Sequence, residues 1–137
     1  MVNILIVTHG PLAQAFKESS RMFFGDAVDA LETIGLAVGE SPEQLKNEII
    51  EKIDAMDTGD GVLIFVDIFA GSPFNMVALA IDEKKESHQL ECLTGVNMPI
   101  VMEALSSAST MKMNDLKQHL KSISKDTIVD LRASLDI

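Results

Sequence analysis

Two polar residues, His9 and Asp67, each follow a short run of apolar residues and each precede a turn signal. The first run is Ile4 to Val7, and the second is Val62 to Val66. Runs of four or five apolar residues that end at a turn are typical of strands buried on both faces, as in a parallel sheet. We therefore predict that both side chains lie at the carboxyl ends of central strands.

An imidazole beside a carboxylate can act as a nucleophile. Its unprotonated nitrogen attacks, while the carboxylate accepts from the other nitrogen and stabilises the positive charge that develops. Gly10 and the turn at Gly71 and Ser72 precede predicted helices, whose free N–H groups attract anions. We predict that His9 and Asp67 transfer a phosphoryl group, with Gly10, Gly71 and Ser72 binding its oxygens. The alternative is that the histidine only closes a strand and the aspartate only caps a turn.

Strand and helix patterns alternate along the chain. The sequence predicts a helix from Pro11 to a stop at Gly25, and a helix after Ser41, which forms a capping box with Gln44. It further predicts an edge strand within 28–36, and a third helix that is capped by Ser72 and apolar on all sides over 76–81. A strand at 88–94, a helix from Met98, a helix capped by Asn114 and a strand at 127–131 are predicted to follow.

This alternation favours an α/β fold, an open doubly wound and mostly parallel sheet with helices on both faces. We expect the strand order 2-1-3-4, a possible extra C-terminal antiparallel strand, and one domain over residues 1–137. In that order the first and third strands are neighbours, separated by about 4.8 Å. His9 and Asp67 would then meet at the switch point where such sheets bind ligands.

Composition excludes several classes of function. The net charge of −10 would repel nucleic acid and anionic lipid. No apolar segment approaches the roughly 20 residues of a membrane span, and no signal peptide precedes the first strand, so we expect a cytoplasmic protein. The single cysteine, Cys92, cannot form an intramolecular disulfide and is predicted to be a buried apolar residue.

The sequence predicts neither a metal nor a cofactor. His88 and Cys92 on one strand would lie roughly 13 Å apart, too far to share a metal, and His119 is predicted to be a solvated surface group. Neither of the two glycine-rich nucleotide-binding motifs is present, so the phosphoryl donor is expected to be another protein. A serine hydrolase is disfavoured because the turn at Ser72 lacks the G-x-S-x-G pattern.

Three motifs give the chain a resemblance to a known family. They are Ile-Leu-Ile-Val-Thr-His-Gly at 4–10, Val-Asp-Ile-Phe-Ala-Gly-Ser-Pro-Phe-Asn at 66–75, and Thr-Gly-Val-Asn-Met-Pro at 94–99. In type and spacing they resemble the IIA component of the mannose/fructose/sorbose family of the phosphotransferase system. The sequence departs from that pattern at Ala70, where glycine is frequent, and at Ile68, where some members have a hydroxyl residue.

The resemblance implies a phosphocarrier. His9 would accept a phosphoryl group through Nε2 from the phosphocarrier protein HPr and pass it to a IIB subunit, acting on the membrane IIC and IID subunits only indirectly. It also implies that Asp67 bonds the histidine, that Ser72 lies in the phosphate-binding turn, and that a homodimer exchanges the strand at 127–131. No cofactor is implied.

Two other functions stay open from the sequence. One is the related subunit that phosphorylates dihydroxyacetone kinase, although the segment 72–75 favours the sugar-transport branch. The other is a non-catalytic module that binds a small anion or a flavin in the same crevice. For a carrier, Phe69, Phe74 and Met98 are expected to form an exposed apolar collar that docks HPr and IIB.

Overall fold

The computed structural model describes all of residues 1–137. Four parallel strands form one sheet in the order β2-β1-β3-β4, as predicted. The strands are β1 (Asn3–His9), β2 (Glu32–Leu36), β3 (Val62–Val66) and β4 (Leu90–Thr94). The helices are α1 (Leu12–Phe24), α2 (Pro42–Met56), α3 (Ser72–Lys84), α4 (Met98–Ser107), α5 (Met113–Ile123) and α6 (Leu131–Leu135), with 3-10 segments at Gly25–Ala30 and Ser124–Asp126.

The two central strands are buried on both faces. Along β1, Ile4 and Ile6 pack into one core with residues of α1, α4 and α5, whereas Leu5 and Val7 pack into a second core with residues of α2 and α3. Each buried aliphatic side chain contributes about 1.5–3 kcal/mol relative to an exposed one. The predicted fold class, with helices on both faces of the sheet, is confirmed.

Local signals place the ends of several helices. Ser41 accepts from the backbone N–H of Gln44, whose side chain accepts from the Ser41 N–H in turn, so the predicted capping box is present. Asn97 accepts from the N–H of Ile100 at the start of α4. Such caps each stabilise a helix by about 1 kcal/mol. Gly25 ends α1 with φ at 56°, as predicted.

The predicted strand at 127–131 is wrong. Ile128 and Val129 are exposed and pair with no strand. The physical reason is a local competitor: the carboxylate of Asp130 accepts from the N–H of Ala133 at 3.2 Å and starts the short helix α6. The edge strand predicted within 28–36 is also shorter, because the residues before Leu31 form a 3-10 helix that buries Val28.

Three smaller predictions about helices are also wrong. Gly71, and not Ser72, occupies the N-cap of α3, so Ser72 is its first helical residue. Helix α5 begins at Met113, one residue before the predicted cap Asn114. Helix α3, predicted to be buried by packing on most sides, buries Val77 and Ala80 but leaves Leu79 exposed to solvent. No helix of the chain is both long enough and apolar enough to span a bilayer.

Candidate functional site

His9 and Asp67 meet at the carboxyl edge of the sheet, as their positions on β1 and β3 predict. Oδ2 of Asp67 lies 2.9 Å from Nδ1 of His9 and also accepts from the His9 backbone N–H at 3.0 Å. Oδ1 accepts from the N–H of Ile68 at 3.0 Å. The aspartate side chain is 10% exposed and the histidine side chain 44% exposed. The carboxylate is therefore fixed, whereas the imidazole remains open to a partner.

The environment of Asp67 keeps it ionised. Burial would raise the pKa of this carboxyl group, but hydrogen bonds from the His9 N–H, the His9 ring and the Ile68 N–H outweigh it and hold the pKa below its usual range. An ionised carboxylate only accepts hydrogen bonds, so Nδ1 of the neutral imidazole is assigned as the donor. The lone pair of the ring then lies on Nε2.

Gly71 packs directly against the imidazole. A Cβ atom at this position would lie 2.8 Å from Cε1 and 3.3 Å from Nε2 of His9. The φ of Gly71 is −89°, which any residue can adopt, so the glycine is needed for space and not for its conformation. The preceding residue, Ala70, has a φ of 64°, which costs a residue with a side chain about 1–2 kcal/mol. A glycine would adopt the same φ without this cost.

The turn before α3 offers hydrogen-bond donors beside the imidazole. The backbone N–H groups of Gly71, Ser72 and Phe74 donate to no protein acceptor, as is usual in the first turn of a helix. They coincide with the positive end of the α3 dipole, where anions are stabilised by about 0.3–1 kcal/mol. Gly71 therefore lies beside His9, and the binding of phosphoryl oxygens by Gly71 and Ser72 stays a prediction.

Gly10 lies in the sharp turn between β1 and α1, and its N–H already has a partner. Its N–H donates to the carbonyl of Leu36 at 2.8 Å, and its φ is 55°. The donor that a phosphate would need is therefore already used, and a role for Gly10 in phosphate binding stays a prediction. Its observed role is to turn the chain sharply between His9 and α1.

Sequence reasoning missed two residues that fix this turn. Thr8 is fully buried, and its hydroxyl accepts from the N–H of Ala13 at 2.8 Å, which ties β1 to the first turn of α1. Gly35 on β2 lies so close to Gly10 that a Cβ atom would overlap the Gly10 carbonyl. A glycine within a strand pattern is a known signal of close backbone approach and could have identified Gly35.

Partly or largely exposed apolar side chains follow the ends of β3 and β4, at the same edge of the sheet as the histidine. Phe69 is 74% exposed and Ile68 55% exposed, and the rings of Phe69 and Phe74 lie 4.7 Å apart. Phe74 and Met98 are half-buried. We call Ile68, Phe69, Phe74 and Met98 the apolar collar; its Ile68 was not foreseen from the sequence.

The other two histidines lie away from this edge and are bound to acids. His88 places Nδ1 2.7 Å from Asp57 and Nε2 2.9 Å from Asp54, so each ring nitrogen faces a carboxylate oxygen. His119 lies 2.7 Å from Glu103 and is half-buried, so it is paired and not simply solvated. No three acidic, histidine or cysteine side chains are arranged to hold a metal ion.

His88, Asp54 and Asp57 form an acidic cluster, in which Asp57 is the buried carboxylate. Burial would raise its pKa, but hydrogen bonds from His88 and from the N–H groups of Gly59 and Gly61 outweigh that and lower it. The cluster lies at the amino edge of the sheet, where it joins the end of α2 to the start of β4. Its position and its satisfied hydrogen bonds indicate a structural ion pair.

Comparison with known proteins gives a consistent result. A family model described as the fructose IIA component of the phosphotransferase system matches residues 3–121. The chain is 32% identical over 127 residues to the fructose-specific EIIA component of Bacillus subtilis (strain 168), covering 93% of this chain and 84% of that protein. It is 29% identical over 125 residues to the sorbose-specific EIIA component of Lacticaseibacillus casei, covering 91% and 87%.

A solved structure has the same fold. The phosphotransferase system component EIIA from Streptococcus agalactiae superposes with a TM-score of 0.87 at 23% identity, covering 97% of this chain and 99% of that chain. None of these relatives supports the dihydroxyacetone kinase subunit or the anion- or flavin-binding module.

Proposed function

Because the chain belongs to the mannose/fructose/sorbose family of EIIA components of the sugar phosphotransferase system, we propose that His9 is its phosphoryl acceptor. His9 receives the group on Nε2 from phosphorylated HPr and passes it to a IIB subunit. The observation that supports this most is the 2.9 Å contact between Nδ1 and Asp67 beside an exposed ring. It leaves Nε2 as the ring nitrogen that is free to attack.

The transfer exchanges one phosphorus–nitrogen bond for another. The lone pair on Nε2 of His9 attacks phosphorus, and the bond to the nitrogen of the HPr phosphohistidine breaks, its electron pair returning to the donor ring. The acceptor ring becomes positively charged, with its proton still on Nδ1. Asp67 stabilises that charge through a charge-assisted hydrogen bond. Transfer to IIB follows the same steps with His9 as the leaving group.

The N-terminus of α3 would bind the phosphoryl oxygens. The N–H groups of Gly71 and Ser72 donate to no protein acceptor, and Gly71 packs against the Cε1 and Nε2 atoms of the ring. The Ser72 hydroxyl would be a third donor. Donors that are fixed before the reaction stabilise the charge on the oxygens without reorganising. We keep Gly10 in this proposal only as a turn residue that orients His9.

The apolar collar would dock both protein partners. Phe69 and Ile68 expose large side chains beside the histidine, and fully desolvated aromatic anchors are typical of interface hot spots. HPr and IIB would bind here in turn, because both must bring a reacting histidine or its equivalent to Nε2. The membrane IIC and IID subunits would be reached only through IIB, which agrees with a cytoplasmic location for this chain.

A homodimer completes the proposal. The C-terminal segment exposes apolar side chains that would be buried against a second copy, at Ile128, Val129, Leu131, Leu135 and Ile137. The exchanged strand implied by the resemblance is not formed in this chain, so the contact would be made by α6 and the residues before it. We expect a dimer by sedimentation at micromolar concentration, and a stable monomer would contradict this part.

Phosphorylation in a reconstituted system tests the proposal. The protein is incubated with phosphoenolpyruvate, enzyme I and HPr, and its intact mass is measured. We expect the mass to rise by one phosphoryl group in the wild type and in His119→Ala, the matched control, but not in His9→Ala. A phosphoryl group that maps to His88 or His119 would contradict the assignment of His9.

A further inference from the structure

The edge strand β2 contacts the turn that follows His9 at two points. The carbonyl of Leu36 accepts from the N–H of Gly10 at 2.8 Å. One residue earlier, a Cβ atom on Gly35 would lie 2.1 Å from the carbonyl oxygen of Gly10 and 3.1 Å from its carbonyl carbon. Both contacts follow the strand register, which pairs Thr8 with Gly35 and His9 with Leu36.

Gly35 is needed for space and not for its conformation. Its φ is outside the left-handed region that the turn glycines of this chain occupy, so alanine could adopt the same backbone angles. The atoms that would clash belong to the Gly10 peptide, which cannot rotate away as a side chain can. A Cβ atom at Gly35 must therefore push the turn or the strand by about 1 Å, since contacts of that kind need at least about 3 Å.

Displacement of this turn would act directly on the histidine. Gly10 follows His9, and the backbone N–H and ring of His9 are both bound to the one oxygen of Asp67. A shift of the Gly10 peptide changes the direction of the His9 side chain relative to β3, where Asp67 and the α3 donors stay in place. A misplacement of about 1 Å in a reacting group can cost about 100-fold in rate.

We propose that Gly35 is a positioning residue for His9: by lacking a side chain, it lets the backbone of β2 close on the His9–Gly10 turn and hold the imidazole in line with Asp67 and α3. The inference rests on the proposed function of His9 as the phosphoryl acceptor. The histidine is then fixed from three sides, by β2 through Gly10, by β3 through Asp67, and by α1 through Thr8.

The variant Gly35→Ala tests this role. The rate of phosphorylation is measured over a range of phospho-HPr concentrations. We expect the maximal rate to fall about 10- to 100-fold with little change in the half-saturating concentration, because the collar that binds HPr is untouched. The control is Gly39→Ala, whose φ is 84° and whose Cβ would meet nothing within 4 Å. The Gly39→Ala variant should lose stability only through backbone strain, and it should keep the wild-type rate at temperatures below its melting temperature.

A spectroscopic measurement separates positioning from general destabilisation. The ¹⁵N shifts of the His9 imidazole report which ring nitrogen holds the proton. We expect protonated Nδ1 in the wild type and in Gly39→Ala, and a mixture of the two tautomers in Gly35→Ala. Unchanged shifts together with an unchanged maximal rate in Gly35→Ala would overturn the inference.

The experiments distinguish a failure of the proposed function of His9 from a failure of the inference about Gly35. If wild-type protein is not phosphorylated at His9, the proposed function fails, while the ¹⁵N shifts still decide whether Gly35 orients the ring. If Gly35→Ala does not fold, the through-hydrogen-bond coupling between the Gly10 nitrogen and the Leu36 carbonyl is measured in the wild type. A coupling present before and after phosphorylation supports the inference, and its absence in either state overturns it.

Discussion

Replacement of Asp67 by asparagine removes one charge from the site with little change in shape. The carboxylate accepts from three donors, two from His9 and one from Ile68. An amide has one accepting oxygen, so whichever way it is turned its NH₂ group faces at least one N–H donor. The variant therefore loses the enforced Nδ1–H tautomer as well as the charge that balances the attacking imidazole.

The expected rise in the transfer barrier follows from the distance between Nδ1 of His9 and Oδ2 of Asp67. Opposite unit charges at the observed 2.9 Å between Nδ1 and Oδ2 attract by about 3 kcal/mol at an effective dielectric constant of about 40, between bulk water and the value of about 20 used near surfaces. The histidine is 44% exposed, so a lower dielectric constant would overstate the effect. With half to all of the charge developed in the transition state, the barrier rises by about 1.5–3 kcal/mol, or roughly 10- to 150-fold in rate.

Single-turnover transfer from phosphorylated HPr measures this effect. Quench-flow rates are compared for the wild type, Asp67→Asn and the control Asp82→Asn, which removes an exposed carboxylate paired only with Lys85. The control should react at the wild-type rate. If folded Asp67→Asn does so too, the carboxylate is only a turn cap and our reasoning about its charge is refuted.

Three further predictions concern other parts of the molecule. Gly71→Ala should slow phosphorylation at least about 10-fold in the same assay, because its Cβ would press on the imidazole. The melting temperature should stay almost unchanged, because alanine can adopt the φ of this position without strain. An unchanged rate would contradict this packing. Phe69→Glu should weaken binding of HPr and IIB, measured by calorimetry. The control Leu79→Glu, at a residue of α3 that is 52% exposed, should not, and equal effects would count against the apolar collar. Because the pKa of Asp57 is lowered from its ordinary value of 3.8, its ionised carboxylate stabilises the fold at pH values above 3.8, and this stability is lost as the pH falls from 3.8 through the folded pKa. His88→Gln should make the stability less dependent on pH in acid-denaturation curves. Curves of equal steepness for the variant and the wild type would exclude the ion pair as the cause.

The sequence allowed the central sheet and the main pair of residues to be predicted for one physical reason. Continuous apolar runs before His9 and Asp67 require burial on both faces, which only a central parallel strand provides at that length. Once both strands were placed, the common strand order brought the two side chains together. The positions of the two residues were predicted from the apolar runs of the strands and not from any property of His9 or Asp67 themselves.

Features that depend on competition or on distant contacts were not predictable. The segment 127–131 has a strand-like composition that competes with the local helix cap at Asp130. The sequence does not show which of the two prevails, nor that no strand edge is available. Gly71 and Ser72 are both acceptable N-caps, and only the structure distinguishes them. The partners of His88 lie 31 and 34 residues earlier in the chain, so its ion pairs leave no signal in the nearby sequence.

The two backbone N–H groups that hold Asp67 have a consequence for how the carrier signals its state. They belong to His9 and Ile68 and not to the imidazole ring itself. If His9 carries the phosphoryl group as proposed, this support of the carboxylate would be the same before and after transfer, and loading would be recorded in a single covalent bond rather than in a conformation. A partner would then distinguish the phosphorylated from the unphosphorylated protein by the charge of the phosphoryl group itself. The direction of transfer would be set by the relative energies of the phosphohistidines on the donor, on His9 and on the acceptor.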